Sequence, residues 1–341
     1  MLAQTLIWLK FLVSLIIILF AGTKLAKYVD VIAEKTRLGR IWIGLVLLAA
    51  ITSAPELVTG VSSAALVGLP NLAVGTLLGS CMFNLTILAL LDILHHRAPF
   101  LSEVKLQHLV TAGMGILLAV ITGGSILAGE SLAELALGGV GVSSIIILIL
   151  YLAAMWGMFR FERSHQLQPI QASPLRYEDS PIRRVWFKFA LATAAVIGTG
   201  IWLSFVGNEI AEITGWSTSF VGSLFLAIAT SMPELVVTIA ALRLGAIDMV
   251  VANILGANML DIAHIFTVDL FYVQGPVLGS VSGAHLITAA VVAVMSLVVI
   301  VGVRFRQKDK TFFIISWYGL ALIGLYIIGS YALFTSGIGS S

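Results

Sequence analysis

Four residues lying in apolar sequence carry groups that could hold a cation. Glu56 closes the run Thr52-Ser53-Ala54-Pro55-Glu56, and Glu234 closes Thr230-Ser231-Met232-Pro233-Glu234. One helix later, Gly79-Ser80-Cys81-Met82-Phe83-Asn84 lies over Gly256-Ala257-Asn258-Met259-Leu260-Asp261. Residues 43–84 and 221–261 are thus two versions of one stretch, with a one-residue slip between the motifs. A carboxylate at mid-bilayer depth costs about 2.5–3.5 kcal/mol on insertion scales, and no Lys or Arg lies deep enough to pair with Glu56, Glu234 or Asp261. Three acids without a protein countercharge imply a cationic ligand or bound protons.

The same motifs offer further oxygens. Pro55 and Pro233 have no N–H to give to the carbonyl one turn upstream, so each frees a backbone acceptor. Such backbone is tolerated at membrane depth where protein or a watery cavity satisfies it. Thr52, Ser53, Thr230 and Ser231 add hydroxyls. Carboxylate, carbonyl, hydroxyl and carboxamide form an all-oxygen set suited to hard cations. Ca²⁺ takes about six to eight such ligands in flexible geometry, whereas Mg²⁺ gives up water reluctantly.

Other residues read two ways. Cys81 is a soft-cation ligand or a packing thiol. His264, three residues after Asp261, is a proton relay or a hydrogen-bonded helix contact. Asp92 and Asp269 each follow the Asn84 or Asp261 position by the same interval, and read as solvated caps or as an ion vestibule. Glu130, Glu134, Glu209 and Glu212 read as solvated charges on the outer face. Gly138-Gly139 and the pair Gly198 and Gly200 suggest close helix packing.

The elements that must position these groups follow from composition. Of 341 residues 59% are hydrophobic and 11% charged, and the mean hydropathy is +1.07. That is a membrane protein, with no sequence left over for a sizeable soluble domain. A span needs roughly 20 apolar residues. Ten such stretches occur, at about 5–27, 41–67, 71–94, 106–125, 137–159, 187–211, 218–243, 248–272, 284–303 and 312–334. The first is read as a retained anchor, because its lysines follow the apolar run instead of preceding it. A single cysteine excludes an intrachain disulfide and a multi-thiolate metal site.

Lys and Arg gather in alternate turns, among them Arg37 and Arg40 after the first span, Lys105 after the third and Arg304 after the ninth. The positive-inside rule then makes the odd-numbered turns cytoplasmic and puts both termini outside. Five spans separate the two motif copies, so the copies enter the membrane in opposite directions. The expected fold class is an all-α polytopic membrane protein, ten transmembrane helices as two inverted five-helix repeats. Residues 1–160 form the first repeat, 161–184 a cytoplasmic linker and 185–341 the second. Inverted repeats place substrate sites near the midplane on interrupted helices.

On these motifs the sequence resembles the calcium/cation antiporter superfamily, and within it the prokaryotic sodium/calcium exchangers. The resemblance implies a central diamond of Glu56, Glu234, Asn84 and Asp261. It also implies ligands from Thr52, Ser53, Thr230, Ser231 and Ser80 and from the carbonyls of Ala49 and Ala227. The moving part it implies is the first and sixth spans, sliding over the other eight. The chain departs from the family pattern at several positions. Ile51 and Ala229 replace glycines, Ala257 replaces a serine, and Thr76 and Cys81 replace asparagines.

Expected partners are Ca²⁺, a counter-transported monovalent cation (Na⁺ or H⁺) and the lipid bilayer of the cell (inner) membrane. No nucleic acid, cofactor or enzymatic activity is expected, and the expected state is a monomer. Na⁺/Ca²⁺ exchange is the first reading, and H⁺-driven or other divalent exchange the second. An intramembrane aspartyl hydrolase is more remote, because it needs two facing aspartates and the repeat mate of Asp261 is Asn84. A channel is the fourth reading.

Overall fold

The computed structural model describes residues 2–35, 49–95, 98–129, 135–165 and 181–338. Its helices in chain order are α1 (Leu2–Lys35), α2 (Ala54–Ala65), α3 (Pro70–Leu94), α4 (His108–Ala128), α5 (Val142–His165) and α6 (Ile182–Thr214). They continue as α7 (Thr218–Thr230), α8 (Met232–Arg243), α9 (Ile247–Phe271), α10 (His285–Arg304) and α11 (Trp317–Ile338). Among the described residues eight helices are long and apolar enough to cross a membrane, or nine if α7 and α8 form one span bent by 44°. The expected second span begins at residues 41–48, which lie outside the described residues, as do Glu130 and Glu134. Its remaining part is helical at 49–52 and again through α2.

Helices α3 and α9 form the centre: both are predominantly apolar, and most of their polar side chains are themselves buried. Both are buried over most of their length and pack on each other, with α4 and α10 paired beside them and α1 lying along α6. Lys10, within the first span, meets Glu209 of α6 at 2.7 Å. The solvated charge expected at Glu209 is therefore half of an ion pair.

Glycine sets one of these contacts. In α7 the segment Gly222–Leu226 takes a wider π-turn and lies directly against α3. A Cβ on Gly75 would stand 2.9 Å from the backbone oxygen of Ser219, and one on Gly79 would overlap the backbone of Ser223. Gly79→Ala is expected to destabilise the protein by about 1–3 kcal/mol, since backbone cannot swing aside as a side chain can. Thermal unfolding in detergent checks this. Gly113→Ala is the control, because a Cβ there meets nothing within 4 Å. Of the pair expected to pack closely, Gly200 does so, with Val58 Cγ1 2.9 Å from its would-be Cβ, whereas a Cβ on Gly198 would meet nothing within 4 Å.

Gly138-Gly139 does something else. With φ of 63° and 90°, the pair turns a short hairpin joining β1 (Ala136–Leu137) to β2 (Val140–Gly141). Two-residue hairpin turns need positive φ at both centres, which glycine accepts without steric cost. The fifth span therefore starts at Val142, not at 137.

The aspartates at the helix ends also differ from expectation. Asp92 is fully buried and Asp269 is 1% exposed, so neither is a solvated cap. Asp92 accepts from Phe100 N (2.9 Å), Ser316 N (2.7 Å), Ser316 Oγ (3.0 Å) and the Tyr318 hydroxyl. Asp269 accepts from Val277 N (2.6 Å), Gly141 N (2.8 Å) and the Ser144 hydroxyl. Each aspartate thus holds the loop after its own helix and also ties that helix to an element far away in sequence. The chain folds back over both carboxylates and supplies the donors that water would otherwise provide. A second matched pair acts at the other ends of α3 and α9. Asn71 Oδ1 accepts from Ser282 N at 2.6 Å, and Asp248 Oδ1 from Lys105 N at 3.0 Å.

Candidate cation site

The breaks in the motif helices come first, because they orient everything else. Ser53 has φ −81° and ψ 8°, and Ser231 has φ −85° and ψ 7°. The two copies therefore bend alike. Pro55 and Pro233 sit in the first turn of α2 and α8, where a missing N–H costs no helical bond. Upstream, Ala49 O accepts from Ser53 N (2.9 Å) and the Thr52 hydroxyl (3.2 Å), while Ala227 O accepts from Ser231 N (3.0 Å) and the Thr230 hydroxyl (3.3 Å).

At the breaks the motifs interlock. Ser231 Oγ donates to Glu56 Oε1 at 2.8 Å, and Ser53 Oγ donates to Glu234 Oε1 at 3.3 Å. Each serine thus serves the glutamate of the other copy. Between α3 and α9, Asn84 Nδ2 donates to Asp261 Oδ2 at 3.5 Å across 177 residues of sequence. Ser80 Oγ lies 3.4 Å from Thr230 Oγ1. All the side chains named for this site from the sequence are buried here. The structure joins most of them in these pairs, and the Thr52 hydroxyl donates to Ala49 O.

What remains unpaired defines the chemistry. Glu56, Glu234, Asn84 and Asp261 are fully buried, and among the described residues each keeps one oxygen without a hydrogen-bond partner: Glu56 Oε2, Glu234 Oε2, Asn84 Oδ1 and Asp261 Oδ1. Buried polar atoms in native proteins are nearly always satisfied, so four orphaned acceptors on these four residues call for an electrophile. Among the described residues no Lys, Arg or His pairs with the three acids; the cationic partners go to Glu209, Glu103 and Asp248. Nor do any three His, Cys, Asp or Glu side chains among them converge tightly enough to chelate a metal by themselves. Beside the carboxylates stand the Asn84 carboxamide and the motif hydroxyls.

Cys81 is a packing contact between the central helices. Its thiol donates to Asn258 O at 3.5 Å, and Asn258 Nδ2 returns a bond to Cys81 O at 3.2 Å. His264 is buried, and its Nδ1 has no partner. Asp261 faces Asn84 and not a second aspartate, so the dyad that a hydrolase requires is missing at that point. Sequence reasoning passed over Asn253 and Asn258, both buried with orphaned side-chain atoms. The available signal was the repeat itself, which sets them opposite Thr76 and Cys81.

Broken membrane helices that bring uncompensated carboxylates together at buried depth define a membrane cation transporter. The chain belongs to the sodium/calcium exchanger protein family, whose model matches residues 6–160 and 184–335; it is a multi-pass membrane protein of the cation-antiporter class. CaxA of Alkalimonas amylolytica is 25% identical over 332 residues, spanning 95% of this chain and 98% of that one. Native YfkE shares the fold with a TM-score of 0.66 at 19% identity, over 95% of this chain and 92% of that one. The sodium-calcium exchanger NCX_Mj does so with a TM-score of 0.59 at 20% identity, over 95% and 97%.

Proposed function

We propose that this protein exchanges Ca²⁺ for Na⁺ by alternating access at a midplane site built from Glu56, Glu234, Asn84 and Asp261. Thr52, Ser53, Thr230, Ser231 and Ser80 and the carbonyls of Ala49 and Ala227 serve the flanking cations. The observation that carries this reading is the set of four orphaned oxygens on fully buried residues that have no countercharge among the described residues. NCX_Mj, a sodium-calcium exchanger of like fold studied with Na⁺, Ca²⁺ and Sr²⁺, lends support. Residues 1–160 and 185–341 act as the two inverted halves, joined by a cytoplasmic linker, with both termini outside the cell membrane.

Exchange follows from electrostatics. Emptied, the site holds up to three charges that would lose water during the switch, at a cost of several kcal/mol for each ion. Filled by one Ca²⁺ or by several monovalent cations, it is close to neutral. Loaded forms therefore cross, and one cation leaves only as another takes its place.

A second reading replaces Na⁺ by H⁺. It is favoured by Ala257, which offers no hydroxyl where its repeat mate Ser80 meets Thr230, and by His264, three residues after Asp261, whose Nδ1 has no partner among the described residues. Proteoliposomes loaded with Na⁺, or given a pH gradient, separate the two when ⁴⁵Ca²⁺ uptake is followed. Uptake driven by the Na⁺ gradient alone is expected, and uptake driven only by protons selects the second reading. Equal Ca²⁺ flux without any counter-ion would overturn both in favour of a channel.

A further inference from the structure

We propose that Asn253 is a ligand for the driving monovalent cation, standing in for the hydroxyl that Ala257 lacks. This rests on the antiport reading above. The sequence repeat sets Thr76 opposite Asn253, Ser80 opposite Ala257 and Asn84 opposite Asp261. In α3 the hydroxyl of Ser80 reaches the Thr230 hydroxyl at 3.4 Å. One turn earlier, the Thr76 hydroxyl donates to Leu72 O at 2.8 Å.

In α9 the place of Ser80 is taken by Ala257, which brings only a methyl group, while Thr52, the counterpart of Thr230, donates its hydroxyl to Ala49 O. Asn253 is 1% exposed, yet among the described residues neither its Oδ1 nor its Nδ2 has a hydrogen-bond partner. A buried carboxamide left open at both ends is rare, because water or protein normally satisfies it. Positions 253, 257 and 261 follow one another at helical i+4 spacing, so they run down one side of α9. The side chain at 253 therefore lies on the stripe of Asp261, displaced toward the N-terminal end of the helix, the direction in which a helical Cβ tilts.

A carboxamide oxygen is a hard, neutral donor that adds coordination without adding charge, so at this position, on the stripe of Asp261, it can serve a single positive charge that shares the carboxylates. The first half thus carries its extra oxygen at the position of Ser80. The second half carries it one turn earlier.

The test uses the full-length protein in proteoliposomes, with ⁴⁵Ca²⁺ uptake measured against graded Na⁺ and pH gradients, and with Ca²⁺ self-exchange measured in parallel. Asn253→Ala is expected to raise the half-saturating concentration of the driving cation about tenfold, the loss of roughly one coordinating contact. Ca²⁺ self-exchange is expected to change less. Adding Ala257→Ser to Asn253→Ala is expected to restore most of the driving-cation dependence, because it returns an oxygen to the stripe. An unchanged driving-cation dependence in Asn253→Ala overturns the assignment. So does a parallel fall of both fluxes that Ala257→Ser does not rescue, which marks a structural role. Wild-type protein that shows no exchange under either gradient removes the antiport reading, and this inference with it.

Discussion

Glu56→Gln and Glu234→Gln are each expected to lower coupled Ca²⁺ flux by at least a hundredfold. Glutamine keeps the size of the side chain and an oxygen to accept from Ser231 or Ser53, so the break in each helix is preserved. The change is one unit of negative charge. At about 4 Å and an effective dielectric of about 20, a unit charge pair is worth roughly 4 kcal/mol, and a divalent guest doubles the stake. Even after generous discounting, about 3 kcal/mol remains, which is more than a hundredfold. Reconstituted ⁴⁵Ca²⁺ exchange, normalised to monodisperse protein, measures it. Full exchange in both variants would refute the assignment.

A thermal readout accompanies the flux. A ligand that binds only the folded state raises the melting midpoint by mass action. Ca²⁺ is expected to stabilise the wild type and to have little effect on either glutamine variant. In Ca²⁺-free buffer the variants are expected to melt no lower than the wild type. Their orphaned oxygens, Glu56 Oε2 and Glu234 Oε2, are replaced by a neutral amide that costs less to bury.

Asp92→Ala is expected to be the most destabilising single change at a helix end, with Asp269→Ala close behind. Removing the Asp92 carboxylate strands the N–H groups of Phe100 and Ser316 and the hydroxyls of Ser316 and Tyr318. Each buried donor left without a partner costs about 1–3 kcal/mol. Even if several relax toward other acceptors, a loss of about 3 kcal/mol or more remains. For Asp269 the stranded groups are those of Val277, Gly141 and Ser144. Melting in detergent, together with the yield of monodisperse protein, provides the measurement. A solvated cap would shift the midpoint hardly at all, so an unchanged midpoint rejects the buried staple. Asp92→Asn is expected to fall between the two, because a carboxamide offers one accepting oxygen instead of two.

Much of the site was legible in the chain. A carboxylate inside an apolar run is costly wherever the run folds, so Glu56, Glu234 and Asp261 stand out by their local surroundings alone. The repeat between residues 43–84 and 221–261 added Asn84 and the motif hydroxyls, and the structure buries every one of them. The prolines marked the breaks, which fall at Ser53 and Ser231 with nearly identical backbone angles.

Other features had no local cause to read. Asp92 and Asp269 look like ordinary helix-end acids, and their burial depends on loops that return from as far as Ser316 and Gly141. Gly138-Gly139 sits at the edge of an apolar stretch, where hydropathy cannot tell a helix start from a hairpin turn. The π-turn at Gly222–Leu226 reflects how closely α7 approaches Gly75 and Gly79, a distance that belongs to two helices at once.

By itself, then, the sequence determined that the chain lives in a membrane, where its helices break and which acids lack a countercharge. Each of these follows from the free energy of placing a short segment in hydrocarbon. The tertiary structure alone decided which serine serves which glutamate, that Asn84 meets Asp261, and that Asn253 finds no hydrogen-bond partner among the described residues. These pairings join residues far apart in the chain, and they are set by how whole helices pack, which no local window of sequence contains.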